Sequence, residues 1–223
     1  MVSLSPPHRT RIKFCGITRL ADARAAVAAG ADALGFVLTP ESRRCMGLEA
    51  AFGIRSRLPP FVSAVALFAN PDPAFVREAV AALRPDFLQF HGEEPEGFCA
   101  GFGVPYLKAV AMGDFQHSLE AVVKTYATAA ALLLDGHDAG ALGGQGKRFD
   151  WSKIGAGVGK PVILAGGLTA DNVGEAIRLV HPYAVDVSSG VEKDAKAAPG
   201  IKDSGKMAAF AQAVARADAA LKM

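Results

Sequence analysis

Eight short runs of Val, Ile, Leu, Ala and Phe recur along the chain, separated by segments of helical length. The runs show no clean alternation of polar and apolar residues, which is typical of strands buried on both faces. We predict these strands at Arg11–Cys15, Ala33–Leu38, Val62–Phe68, Phe87–Phe90, Tyr106–Val110, Ala130–Leu134, Pro161–Leu164 and Ala184–Val187. The intervening segments are rich in alanine and amphipathic, which predicts helices such as Leu20–Ala29, Ala74–Leu83, Leu119–Tyr126 and Asn172–Leu179.

The alternation of eight strands with about eight helices predicts an α/β fold, a single-domain (β/α)₈ TIM barrel over residues 11–223. A doubly wound open sheet is the structural alternative. The eightfold repetition of one unit favours the closed barrel. Residues 1–10 contain two adjacent prolines and are predicted to form a loose N-terminal extension.

The composition of the chain argues against several classes of function. The chain has 223 residues, and its 24 basic and 22 acidic side chains leave a net charge of only +2, which argues against nucleic acid or anionic lipid as a partner. Apolar runs such as Ala127–Leu134 are far too short to span a bilayer, and the N-terminus lacks the apolar region of a secretory signal. Three cysteines without a CxxC motif indicate a reduced, cytoplasmic protein, and no zinc-type site is expected from the spacing of His, Cys, Asp and Glu.

Glycine-rich loops follow the last three predicted strands, at Gly143–Gly146, at Gly166-Gly167 and at Ser188-Ser189-Gly190. Glycine allows backbone N–H groups to approach an anion closely, and the loops after the last strands are the usual phosphate site of a TIM barrel. One such loop would indicate only a tight turn. Three on adjacent strands predict a phosphate site.

Two strand ends carry groups suited to acid–base chemistry. Cys15 ends the first strand and Gly16 follows it, which places the thiol at the mouth of the barrel; nearby positive charge would lower its pKa and make it a base or nucleophile. Asp135 closes the sixth apolar run, where burial would raise its pKa and suit it to act as a general acid. The alternatives are a thiol that packs as a small hydrophobe and a carboxylate that caps an Asp-Gly turn.

Other polar residues at strand ends have weaker indications. Arg44 follows the second strand and could hold a carboxylate through two hydrogen bonds, with Arg43 as its competitor. Asp186 ends the eighth strand, where hydrogen bonds from Ser188 and Ser189 are a structural explanation for it. Supporting or structural roles are predicted for three further residues, His91, Lys108 and His137.

Several of these segments together resemble the phosphoribosylanthranilate isomerase family of tryptophan biosynthesis. The resemblance covers about residues 11–215, in the right order. Its most specific parts are the Cys-Gly-Ile-Thr segment at Cys15 and the Ser-Ser-Gly-Val-Glu segment at Ser188. Further matches are Lys13-Phe14, Ala31–Val37, Gln89-Phe90-His91-Gly92, Leu133-Leu134-Asp135, Gly143-Gly144-Gln145-Gly146, Phe149-Asp150-Trp151, Leu164–Leu168, Val185-Asp186-Val187 and Pro199–Asp203.

The resemblance implies an Amadori rearrangement of N-(5-phosphoribosyl)anthranilate to 1-(2-carboxyphenylamino)-1-deoxyribulose 5-phosphate, without a cofactor or a metal. It implies that Cys15 is the general base, that Asp135 is the general acid and that Arg44 holds the anthranilate carboxylate. Gln89, His91 and Asp186 are predicted as further substrate-binding residues. The implied phosphate-binding residues are Gly144, Gly146, Gly166, Gly167, Ser188 and Ser189.

The chain departs from the family pattern at two places. Arg43-Arg44-Cys45 stands where Pro, Arg and an aromatic residue are usual, and Gln145 stands where Thr or Ser is usual. Related phosphate-binding barrels of histidine and indole biosynthesis remain alternatives, although the former usually has Asp at the position of Cys15 and Lys13 stands two residues too early for the catalytic lysine of the latter. A barrel that only binds a sugar phosphate is a third alternative. The chain is expected to be a monomer or a homodimer.

Overall fold

The computed structural model describes residues 9–113, 115, 118–137, 148–154 and 158–221. Eight parallel strands close into a barrel in sequence order, which confirms the TIM barrel and excludes the open sheet. The strands are Arg11–Cys15 (β1), Ala33–Val37 (β2), Ser63–Phe68 (β3), Phe87–Phe90 (β4), Tyr106–Ala111 (β5), Ala131–Asp135 (β6), Val162–Leu164 (β7) and Ala184–Val187 (β8). Each predicted strand lies within a residue or so of an observed one.

Helices follow most of the strands and cover the outside of the barrel. The α-helices of the described ranges are Leu20–Ala28 (α1), Leu48–Arg55 (α2), Pro73–Leu83 (α3), Glu96–Ala100 (α4), Leu119–Thr125 (α5), Val173–Val180 (α6) and Ser204–Ala220 (α7). Short 3₁₀ turns occur at Trp151–Lys153, between β6 and β7, and at Ser189–Val191, after β8. None of the helices in these ranges has the length and apolarity needed to cross a membrane.

Alternate residues of each strand face opposite sides of the barrel wall. The outward set, which includes Phe14, Leu34 and Leu134, packs in one large core against the helices. The inward set forms a separate apolar cluster with Val65, Leu133 and other small or branched side chains. Since Cys15 and Asp135 have the same inward parity and end their strands, they belong to the uppermost inward layer.

The barrel closes between β1 and β8, where Lys13 is the register partner of Asp186. Outside this seam, the backbone N–H and the hydroxyl of Thr10 both donate to the carboxylate of Asp218 in α7, at 2.8 and 2.7 Å. Thr10 is buried, so the loose extension predicted for residues 1–10 ends before it, since this residue is held against the last helix. Residues 1–8 lie outside the described residues.

Candidate active site

A cavity opens at the carboxyl-terminal end of the barrel, where the strands meet the loops that follow them. Barrels of this architecture carry their active sites at this end. Its wall includes each predicted site residue that the structure describes, namely Cys15, Arg44, Gln89, His91, Asp135, Gly166, Gly167, Asp186, Ser188 and Ser189. Gly144 and Gly146 lie outside the described residues.

Cys15 is the last residue of β1, and it lines the cavity although only 6% of its surface is exposed. Gly16 follows with a φ of +70°, a left-handed conformation that turns the chain out of the strand. Burial raises the pKa of the Cys15 thiol, and the positive charges of Lys13 and Lys202 offset only part of this effect. Nearby positive charge thus lowers the thiol pKa as expected, but loss of water around the sulfur outweighs the cations beside it, so the pKa lies above its ordinary value.

Asp186 faces the cavity, and its partner is Lys13 rather than the serines that follow it. The Lys13 ammonium donates to Oδ1 of Asp186 at 2.9 Å, and both side chains are buried. Lys13 lies one inward layer below Cys15 on β1, so its position two residues before the thiol puts it beneath the cavity floor. The result is a buried ion pair next to the sulfur.

Asp135 stands between two histidines. Its Oδ2 lies 3.4 Å from Nε2 of His91 and 3.5 Å from Nδ1 of His137. Burial favours a raised pKa for Asp135, but hydrogen bonds from His137 and His91 and their charges outweigh burial, so the pKa lies below its ordinary value. The expectation of a raised pKa is therefore wrong: the carboxylate is stabilised in its ionised form by the two imidazoles.

The histidines also contact each other and a buried amide. Nε2 of His91 lies 3.4 Å from Nδ1 of His137, and Nε2 of Gln89 lies 3.2 Å from Nδ1 of His91. His91 and His137 are far apart in the sequence, so their contact is not evident from the sequence alone. The available signal was that both residues follow strand ends, which meet at the same rim of a barrel.

Arg44 is oriented by a residue that the sequence interpretation left without a role. Glu192 accepts two hydrogen bonds from the Arg44 guanidinium, at 2.7 and 2.9 Å, and further ones from the Lys202 ammonium at 3.1 Å and the Gly200 N–H at 2.8 Å. Burial opposes ionisation of Glu192, but these donors outweigh it and lower its pKa. Arg43 donates instead to the backbone carbonyl of Lys196, away from the cavity wall.

The loops after β7 and β8 form the remaining wall. Gly166 and Gly167 have φ values of +84° and +62°, and Ser188 and Ser189 lead into a 3₁₀ turn. A Cβ on Gly190 would come within 1.9 Å of the Leu168 carbonyl oxygen, so only glycine allows the two loops to pack this closely. Such a surface offers backbone N–H groups and hydroxyls to an anion.

Lys108, for which a structural or supporting role was predicted, has a structural environment. Its buried ammonium donates to Oε2 of Glu94 at 2.9 Å and to the Gly92 carbonyl at 2.5 Å, so it fixes the loop after β4. It is not part of the cavity wall.

Comparisons with known proteins agree with this geometry. The family model described as N-(5'phosphoribosyl)anthranilate (PRA) isomerase matches residues 12–213. An N-(5'-phosphoribosyl)anthranilate isomerase of Pseudomonas putida (strain GB-1) is 50% identical over 209 residues, covering 93% of this chain and 98% of the relative. The crystal structure of the phosphoribosyl anthranilate isomerase from Thermus thermophilus superposes with a TM-score of 0.82 at 40% identity, covering 93% of this chain and 99% of that one.

A further solved relative is a phosphoribosyl anthranilate isomerase in complex with reduced 1-(o-carboxyphenylamino)-1-deoxyribulose 5-phosphate. It is 34% identical with a TM-score of 0.78, covering 93% of this chain and 99% of its own. The closed barrel and the residues at its strand ends agree with the family model and with relatives that align over nearly their whole length. The chain therefore belongs to the N-(5'-phosphoribosyl)anthranilate isomerase family, whose members are enzymes of tryptophan biosynthesis.

Proposed function

We propose that the protein isomerises N-(5'-phosphoribosyl)anthranilate with Cys15 as the general base and Asp135 as the general acid. The observation that carries this assignment is that a thiol on β1 and a carboxylate on β6 line one cavity from different sides of the barrel. Two groups so arranged address two different atoms of one sugar, the ring oxygen and C2.

The reaction begins when a proton from Asp135 reaches the furanose ring oxygen and the C1–O bond breaks, which leaves an iminium between C1 and the anthranilate nitrogen. Cys15 then removes the proton on C2, and the electron pair of that C–H bond neutralises the iminium to give an enolamine. Tautomerisation gives the ketone. Because burial raises the pKa of Cys15, the thiol must lose its proton before it acts, and the charges of Lys13 and Lys202 favour this loss. The positive nitrogen acidifies the C2 proton, so the thiolate is then an adequate base.

Asp135 must gain a proton before it can donate one. Its pKa lies below its ordinary value in the cluster with His91 and His137. The substrate carries a phosphate and a carboxylate, and negative charge brought into the cavity raises the proton affinity of a neighbouring carboxylate. His91 and His137, whose ring nitrogens lie 3.4 and 3.5 Å from Oδ2, are the side chains in contact with the carboxylate that takes up this proton.

Binding follows from the charged and glycine-rich parts of the wall. Arg44 holds the anthranilate carboxylate, and its pairing with Glu192 fixes the direction of the guanidinium. Gly166, Gly167 and Ser188 bind the phosphate, together with Ser189. Gly144 and Gly146 are proposed for the same phosphate, and Gln89, His91 and Asp186 for the ribose and its open-chain form.

The test uses the fluorescence of the anthranilate substrate, which falls as the product forms. Cys15→Ala and Asp135→Asn should each abolish measurable turnover while the thermal unfolding transition is retained. Cys45→Ala, at an exposed thiol outside the cavity, is the matched control and should turn over like the wild type. Undiminished turnover by both active-site variants would overturn the assignment.

For assembly and location we propose a homodimer in the cytoplasm. A solved relative from Thermotoga maritima, 34% identical with a TM-score of 0.78, is described as generated monomers of a dimeric phosphoribosylanthranilate isomerase, so that enzyme is dimeric in its parent form. In this chain Phe61 is fully exposed, with a φ of +69°, beside a cavity of about 490 Å³ at the amino-terminal end of the barrel. An exposed aromatic side chain next to an apolar cavity suits a self-complementary contact.

A further inference from the structure

Three side-chain atoms at the rim of the cavity form a nearly equilateral triangle. Nε2 of His91 and Nδ1 of His137 are 3.4 Å apart, and Oδ2 of Asp135 lies 3.4 Å from the first and 3.5 Å from the second. The three residues come from two strand ends, and their candidate ligand atoms all lie within 4.8 Å of one another.

These separations match one face of a metal coordination tetrahedron. Zinc binds histidine nitrogen and carboxylate oxygen at about 2.0–2.2 Å, so two tetrahedral ligand atoms lie roughly 3.3–3.6 Å apart. We propose that His91, Asp135 and His137 form a binding site for a divalent transition-metal ion, with Zn²⁺ as the probe, and that the bound ion inhibits the enzyme.

Gln89 provides a second, independent observation. Its side chain is completely buried, its Nε2 lies 3.2 Å from Nδ1 of His91, and its Oε1 has no hydrogen-bond partner among the residues that the structure describes. A histidine that ligates through Nε2 carries its proton on Nδ1 and requires an acceptor there. Rotation of the Gln89 amide by half a turn supplies Oε1 as this acceptor and satisfies the orphaned oxygen.

The donor set selects the class of ion. Two imidazoles and one carboxylate suit zinc and its neighbours among the transition metals, whereas magnesium and calcium prefer oxygen ligands throughout. Three protein ligands leave a fourth position, and since His91 and Asp135 line the cavity, that position faces the space where substrate would bind.

Metal occupancy and catalysis exclude one another in this arrangement. A metal on Oδ2 holds Asp135 as a carboxylate and takes the histidine lone pairs, so no proton reaches the ring oxygen. This inhibitory consequence rests on the proposed function. The metal binding does not. Inhibition is measured as the loss of substrate turnover on addition of one equivalent of Zn²⁺ and its recovery with a chelator, and undiminished turnover by the zinc-loaded protein would overturn the inhibitory part of the proposal; binding is measured by titration.

The experiment titrates chelator-treated protein with Co²⁺ and follows the visible absorption of the metal, then displaces it with Zn²⁺ against a chromophoric chelator. All variants carry Cys45→Ser, which removes an exposed thiol. We expect one equivalent bound and a Kd raised at least about tenfold by His137→Gln and by Asp135→Asn. His181→Asn is the matched control, because His181 caps α6 outside the cavity and asparagine accepts its left-handed backbone.

Cys15→Ser separates the proposed ligands from the active-site thiol and should bind metal like the parent. The proposal is overturned if the parent protein binds no metal, if Cys15→Ser loses binding, or if Asp135→Asn and His137→Gln both bind unchanged. A thermal unfolding transition checks that each variant is folded, and if one of the two ligand variants is not, the other decides. Zinc binding by a protein without isomerase activity would refute the proposed function and leave the metal site standing.

Discussion

At the scale of single residues, the ion pair beneath Cys15 contributes opposing charges to the ionisation of the thiol. Lys13 lowers the pKa of Cys15, Asp186 raises it, and burial, the largest effect, raises it too. The pair is buried at the seam of the barrel, so its electrostatic effect is little screened by salt. Removal of the Lys13 charge should therefore raise the thiol pKa, and removal of the Asp186 charge should lower it.

Lys13→Met should slow alkylation of Cys15 by iodoacetamide several-fold at neutral pH, and Asp186→Asn should accelerate it. The measurement is the alkylation rate against pH in a Cys45→Ser background. Cys99 does not interfere, because burial raises its pKa to about 12. A loss of packing alone would change both variants in the same direction, and that result would refute the electrostatic account. Each variant leaves a buried charge unpaired, which costs roughly 3–5 kcal/mol, so rates are compared well below the unfolding temperature.

Glu192 makes stability depend on pH. Its pKa lies below the ordinary value of 4.5, so in acid the unfolded chain takes up this proton before the folded one does. The stabilisation by ionised Glu192 is complete above the ordinary pKa and disappears as the pH falls through the lower folded value. Glu192→Gln should thus be less stable than the wild type by roughly 3 kcal/mol at neutral pH.

Urea unfolding across the acidic range measures this effect, and the gap between Glu192→Gln and wild type should close as the pH falls. A gap that is constant with pH would mean that the carboxylate charge contributes nothing. The same variant releases the guanidinium of Arg44, so KM should rise more than kcat falls. Asp194→Asn is the matched control, because its exposed carboxylate also has a lowered pKa but accepts hydrogen bonds from the backbone N–H groups of Lys196 and Ala197 rather than from Arg44.

At the scale of elements, the turn after β7 determines where the end of β6 lies. A Cβ on Gly166 would come within 2.4 Å of the Gly136 nitrogen and 2.9 Å of Oδ1 of Asp135, and the φ of Gly166 is +84°. Gly166→Ala should therefore destabilise the protein by about 2–3 kcal/mol and lower kcat, because it displaces the backbone that carries Asp135.

Two other glycines distinguish the effect of the left-handed backbone conformation from the effect of the close contact. Gly30→Ala has the same kind of φ, +92°, with nothing within 4 Å of the new Cβ, so it should cost only about 1–2 kcal/mol and leave kcat unchanged. Gly174→Ala lies within α6 with ordinary contacts and should stabilise by about 0.5–1 kcal/mol. Thermal unfolding and turnover of the three variants test this order, and a kcat for Gly166→Ala equal to that of Gly30→Ala would contradict it.

The parts of the site that could be predicted from the sequence are those fixed by the ends of the strands, and not those fixed by the folding of the loops. Cys15, Asp135 and Asp186 close apolar strands, and the ends of parallel strands meet at one rim, so their proximity follows from local pattern and topology. The contacts of His137 with His91, and of Lys202 with Glu192, depend on how loops fold back over that rim. The pKa expectation for Asp135 failed for this reason, since its pKa depends on His91 and His137 rather than on its position in the strand.

At the scale of the whole molecule, Phe61 should control the oligomeric state. Phe61→Ser removes a fully exposed aromatic side chain and should convert the proposed dimer to a monomer in sedimentation equilibrium. Phe52→Ser, on the half-exposed face of α2, is the control and should leave the mass unchanged. A monomeric wild type would refute the dimer without touching the active-site assignment, because Phe61 lies at the opposite end of the barrel.

The seam between β1 and β8 has a consequence for synthesis on the ribosome. Lys13 emerges early, and the carboxylate that neutralises its ammonium follows 173 residues later. Until then the ammonium of Lys13 lacks its partner and β1 lacks the strand that pairs with it in the closed barrel, so any sheet formed earlier has an open edge at β1. Such a sheet exposes apolar surface to chaperones and to neighbouring nascent chains. Closure of the ring therefore requires β8, the last strand of the barrel, and cannot be completed by pairing of the early strands.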